Sequence, residues 1–142
     1  MKKLIKLVVT IFVFVILFSF VGCVQKGPLV IKETDTYIII NVSNEQMEIK
    51  NDTTLVYYMN SLKNDGLLSF EMNNGMVTSV NGIQNPSNFS SCWMLYTSDK
   101  DNANSAWGTI EYNDNIYGSA TMGAESLTVK DGCIYIWVFQ SF

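Results

Sequence analysis

From residue 29 onward the apolar positions fall mostly in short runs with a period of two, the spacing of half-buried β-strands. Tyr37-Ile38-Ile39-Ile40-Asn41-Val42 is rich in β-branched and aromatic residues and reads as a strand, with Leu29-Val30-Ile31 as a shorter one before it. Residues 46–50 are a further stretch able to pair with it. One segment breaks the period. Asn51-Asp52-Thr53 offers helix-capping side chains, and Leu55, Val56, Met59 and Leu62 then share one helical face, with Gly66 as a stop. This predicts a single long helix over 53–64, with Tyr57 and Tyr58 partly off its apolar face as boundary packing.

Strand pattern returns after the helix. Segments 67–72 and 75–80 flank Asn73-Asn74 and predict a hairpin, and Asn81-Gly82 marks the next turn. A polar loop containing Pro86 leads to a strand over 92–97 that opens on Cys92-Trp93. Residues 98–106, SDKDNANSA, read as a turn-rich loop, and 107–111 with 116–120 as a second hairpin about Asn113-Asp114-Asn115. The last strand, 133–139, is apolar on both faces, as an interior strand must be: Ile134, Ile136 and Val138 on one, Tyr135, Trp137 and Phe139 on the other. The expected fold class is α+β, mainly a β sheet of four or more strands packed with a single long helix.

The N-terminus has a different pattern. Met-Lys-Lys-Leu-Ile-Lys precedes an apolar run over 7–21, broken only by Thr10 and Ser19, and then Gly22-Cys23. A basic start, an apolar middle and a small residue describe a secretory signal. Its end resembles a bacterial lipoprotein signal, with Phe20 where that motif usually has Leu, and implies Cys23 as the lipidated residue. An uncleaved anchor is the alternative, although the run is shorter than the roughly 20 residues a spanning helix needs. The expected organisation is a signal peptide over 1–22, a lipid-anchored tether over 23–35 and a domain over 36–142. This puts the domain on the extracytoplasmic face of a bacterial cell membrane, with the membrane as its first partner.

Loss of the signal removes three of nine lysines, leaving six against thirteen acids and a net charge of −7 for the mature part. Such a surface argues against nucleic acid as a partner and against electrostatic adsorption to anionic lipid. The chain has no His, so Ser-His-Asp and Cys-His arrangements cannot be built. Too few cysteines remain for a four-thiolate zinc site once Cys23 carries lipid. Carboxylates two apart in Asp99-Lys100-Asp101 are compatible with calcium, but the glycine and distal Glu of a calcium loop are lacking, and a solvated loop is the default. No residue is assigned a catalytic or metal-binding role, and the chain is expected not to be an enzyme.

Cys92 and Cys133 are the thiols left for an oxidising compartment. Each opens its own strand. If those strands are antiparallel neighbours, the sulfurs lie at opposite ends of the ladder, out of bonding reach; parallel or non-adjacent strands would permit the bond. Trp137 reads as core and Trp107 as either core or surface. Trp93, at a strand start after a long loop, reads as packing, with a ligand-facing position as the alternative.

The order GMVTSVNGI (75–83), a loop, CWMLY (92–96), Tyr117-Gly118 and GAESLTVKDG (123–132) before an apolar strand resembles the C-terminal domain of transcobalamin and intrinsic factor. The resemblance covers roughly residues 36–142. In those carriers the domain closes over one side of cobalamin while a helical barrel holds the other. By position, the resemblance implies that Trp93 and Leu95 face the corrinoid and that Gly123 and Ala124 approach from the loop before the last strand. The barrel is absent, so a partner would have to supply the other half, and the stretch 98–119 is longer than in the carriers and able to cover the face they use. The resulting expectation is a membrane-anchored binding module with no resident cofactor, taking cobalamin or a related corrinoid as ligand. The alternative is an envelope structural or interaction protein that binds another protein or a glycan.

Overall fold

The computed structural model describes residues 27–142; the expected signal peptide, Cys23 and the first residues of the tether lie outside them. The strands are β1 (Val30–Thr34), β2 (Tyr37–Asn41), β3 (Phe70–Asn73), β4 (Met76–Val80), β5 (Ile83–Gln84), β6 (Ser91–Thr97), β7 (Ala103–Tyr112), β8 (Asn115–Ala120) and β9 (Ile134–Ser141). A helix, α1 (Leu55–Asn64), stands between β2 and β3. Six strands form one antiparallel sheet in the order β1-β2-β9-β6-β8-β7, and β3-β4-β5 form a second. The α+β class, mostly β, therefore stands, but α1 has only ten residues and is not long. No helix among the described residues is long and apolar enough to cross a membrane.

The helix starts where its cap chemistry lies, one residue later than the Asn51-Asp52-Thr53 cluster. Thr54 is the N-cap, and its Oγ1 accepts from Tyr57 N. At the other end Gly66 N donates to Lys63 O and Leu67 N to Leu62 O, the paired bonds of a Schellman stop. Leu55, Met59 and Leu62 are buried as the periodicity requires, but Val56 is only half-buried and Tyr58 is fully buried. Tyr58 is core because its hydroxyl is satisfied there, donating to Asn41 O at 3.1 Å and accepting from Ser43 N at 3.0 Å.

Tight turns fall on the residues that tolerate a left-handed backbone. The β3–β4 hairpin turns on Asn74 (φ 49°) and Gly75 (φ 80°), one residue beyond the expected pair, β4–β5 on Asn81 and Gly82, and β7–β8 on Asn113 and Asp114. Three boundaries differ from the sequence reading. Residues 46–50 form no strand, because both edges of β2 are already occupied, by β1 and β9. The end of the expected tether is β1, the edge strand of the large sheet. The expected loop 98–106 gives up its second half to β7.

The interior position of the last strand is as predicted: β9 lies between β2 and β6. Tyr135 and Trp137 enter a core with Ile38, Ile40, Trp93 and Leu95, closed by α1 and the small sheet through Leu55, Tyr58, Phe70 and Val77. Ile136 enters a second core, with Ile39, Tyr96 and Tyr117. The β7–β8 hairpin covers that second face. It pairs with β6 only at Tyr96↔Ser119 and Thr97↔Gly118 and then leaves the plane of the sheet. Its far end reaches β2, across β9 and β6, where the Tyr37 hydroxyl donates to Glu111 O at 3.2 Å. Gly118 makes the crossing possible: a Cβ there would lie 3.1–3.2 Å from the backbone of Asn104 and Ser105. The long 98–119 stretch thus covers the face opposite Trp93 and Leu95.

Candidate functional site

Trp93 and Leu95 alternate onto the helix side of β6, as a period of two dictates. There they border a cleft of about 310 Å³ whose other walls are the start of β4 (Gly75, Met76, Val77), residues 119–124 and Trp137 of β9. Gly123 and Ala124 are among the lining residues. The four positions implied by the resemblance therefore meet at one concavity, although they come from segments as far apart as residues 93 and 124.

The loop before β9 is fixed by the helix it caps. Leu55 N donates to Leu127 O at 2.8 Å and Val56 N to Ala124 O at 3.0 Å, so helix N–H groups without intrahelical partners hold the loop. Gly123 O accepts from Ser126 N and Leu127 N, which closes the loop on itself. An added Cβ on Gly123 would sit 3.6 Å from Gly75 O, an ordinary contact, so the two glycine-bearing turns face each other across the cleft without being forced together.

Trp93 is held from several sides. Its backbone N donates to Asn85 Oδ1 at 3.1 Å, its indole Nε1 to Ile83 O at 2.8 Å, and its ring packs 5.4 Å from that of Phe139. It is 4% exposed. It is a core residue, as the packing reading has it, and it also forms a wall of the cleft. Leu95 is buried beside it, paired with Trp137 in the β6–β9 register.

Trp137 is buried to the same extent, but its Nε1 has no hydrogen-bond partner. An unmade bond at a buried donor costs about 1–3 kcal/mol, which sets this nitrogen apart from the satisfied Nε1 of Trp93. The sequence reading had Trp137 as core and did not single out its N–H. It also passed over Met76 and Met122, which line the cleft while remaining largely exposed. Methionine spacing carries no signal for this, since Met76, Met94 and Met122 lie on three different segments. Ser119 and Thr121 add hydroxyls, and no charged residue lines the cleft.

The carboxylates of the 98–106 stretch are placed elsewhere and are not a merely solvated loop. Asp99 is buried, and Lys130 Nζ bridges it to Asp101 at 2.7 and 2.6 Å. Asn102 Nδ2 donates to the second oxygen of Asp99 at 2.7 Å. Burial opposes the charge on Asp99, but hydrogen bonds from Lys130, Asn102 and the Asp101 N–H outweigh it and hold the carboxyl below its ordinary 3.8. A lysine ammonium thus sits between the two carboxylates. Among the described residues no cluster of three or more His, Cys, Asp or Glu could hold a metal ion.

The two thiols fall under the antiparallel case. Cys92 stands opposite Gln140 near the end of β9, whereas Cys133 precedes its start, and both are free. Burial pushes each thiol above its usual pKa, so neither is an activated nucleophile. Tyr135, whose hydroxyl accepts from Lys130 N at 3.2 Å, is pushed up to about 12 by burial and stays neutral. The site can hold an apolar surface and offer hydrogen bonds; it carries no group poised to transfer a proton.

No protein-family model matches this chain, and neither a curated protein nor a solved structure does.

Proposed function

We propose that this chain is a lipid-anchored, extracytoplasmic binding module of the transcobalamin C-terminal type, a binder and not an enzyme. Its ligand is cobalamin or a related corrinoid, taken together with a partner that supplies the other half of the site. The observation that carries this reading is the convergence of Trp93, Leu95, Gly123 and Ala124 on one uncharged cleft. Met76 and Met122 give that cleft an adaptable apolar rim. Its volume lies at the lower end of the roughly 300–1,000 Å³ usual for ligand pockets, so a macrocycle would lie across the mouth with only an edge inside. One-sided burial leaves most of the association cost uncompensated, and affinity for the chain alone is expected to be about micromolar or weaker.

Titration of the membrane-anchored protein with cobinamide and cobalamin, followed by tryptophan fluorescence, tests this. Quenching that saturates in the micromolar to millimolar range supports the reading. Absence of any change at millimolar corrinoid sinks it and brings forward the second hypothesis, an envelope interaction protein.

A further inference from the structure

The Nε1 of Trp137 is a donor with no acceptor in a protein whose other described buried side-chain nitrogens and oxygens are all hydrogen-bonded. Trp137 lines the cleft, and its nitrogen is buried with no protein group to accept from it. The side chains lining the cleft include Met76 and Met122, 44% and 41% exposed, unbranched thioethers able to adopt other rotamers. On the same wall Thr121 Oγ1 donates to Asn102 O at 3.3 Å, which leaves its lone pairs free to accept.

We propose that the indole N–H of Trp137 is the hydrogen-bond donor of this cleft, and that the ligand presents to it an uncharged amide carbonyl. The proposal rests on the cleft being the binding site. A carbonyl accepts from Nε1, and the same amide's N–H groups can donate to the hydroxyl of Thr121. A carboxylate is disfavoured: no charged side chain lines the cleft to pair with it, and the mature chain is itself acidic. Because the donor is buried, a ligand reaches it only if the lining gives way, and the unbranched thioethers of Met76 and Met122 are able to do so, while Trp93 and Leu95 offer its apolar body a wall.

The test uses the full-length chain in detergent micelles, labelled with nitrogen-15 and with methionine methyl groups. Indole signals are assigned by single Trp→Phe variants. The probes are benzamide, cobinamide, which carries amides, and cobyrinic acid, which carries carboxylates on the same ring. Amide probes are expected to move the Trp137 indole proton downfield together with the Met76 and Met122 methyls, leaving the Trp107 indole in place. Trp137→Phe should weaken amide binding about 3- to 10-fold. If that variant does not fold, the titration of the unaltered chain decides alone. Methyl shifts without a Trp137 shift would overturn the donor and leave the site standing. Cobyrinic acid binding as tightly as cobinamide would overturn the preference for a neutral carbonyl. Benzamide moving Trp137 while cobinamide does not supports the donor and removes the corrinoid. If no amide moves either the indole or the methyls, both the donor and the site fall.

Discussion

Side chains of β9 alternate between two cores that are closed in different ways. Tyr135 and Trp137 face one covered by separate elements, α1 and the small sheet, with polar heads fixed to backbone at Tyr58, Tyr135 and Trp93. Ile136 faces one covered by the large sheet's own continuation, the β7–β8 hairpin. The first cover is anchored by helix-terminal hydrogen bonds to residues 124–127; the second is pinned across the sheet by the bond between Tyr37 and Glu111. The apolar cleft bordered by Trp93 opens on the first face, where β4, β6, β9 and residues 119–124 meet, while a wider hollow lined by Glu33, Glu111 and Asp114 lies where the hairpin tip meets β1 and β2. The first cover is thus tied to the sheet through several segments, whereas the far end of the second is tied to β2 by the Tyr37 hydroxyl.

The largest test of this contrast removes one anchor from each core. Trp93→Ala should lower unfolding stability by about 3–5 kcal/mol and Ile136→Ala by about 2–5 kcal/mol, read from urea midpoints at constant slope. A Trp93→Ala protein of unchanged stability would mean that the ring is a surface contact and that the first core closes without it.

Acid should act on a joint of the helix-side loop. The folded-state pKa of Asp99 lies below its ordinary 3.8, so its contribution is present above that value and is lost as pH falls below it toward the folded value. Asp99→Asn should therefore be less stable than the parent at neutral pH and show a flatter decline in acid. Parallel pH profiles for the two proteins would show that the bridge to Lys130 adds nothing.

The smallest effect is expected at the hairpin. Tyr37→Phe removes the bond to Glu111 O at a half-exposed site, for a loss of about 0.5–1 kcal/mol. Amide exchange should accelerate over residues 109–118 and stay unchanged in α1. Uniform acceleration would mean that the two covers open as one unit and would erase the contrast between the faces.

Local chemistry was legible before any coordinates. The stretch 51–66 carries capping residue types, an apolar face and a stop, with the cap itself falling on Thr54 just past the expected cluster, and Asn81-Gly82 and Asn113-Asp114 are residue types that accept the turn backbone, so the existence of these elements needed no tertiary information. The two-sided apolar pattern of residues 133–139 fixed an interior strand because no other position buries both faces. Tyr58 was misplaced because a phenol on the margin of an apolar face becomes core only where its hydroxyl finds partners, here Asn41 O and Ser43 N from another segment. Residues 46–50 were misread as a partner for β2 because strand pattern says nothing about whether an edge is vacant. The cleft lay beyond the sequence for the same reason: its walls come from β4, β6, the 119–124 loop and β9, brought together only by packing. Nothing in the residue pattern says which of the two indole N–H groups, that of Trp93 or that of Trp137, finds an acceptor. Tertiary structure set Ile83 O against the first and no acceptor against the second, because a hydrogen bond depends on where two chain segments meet.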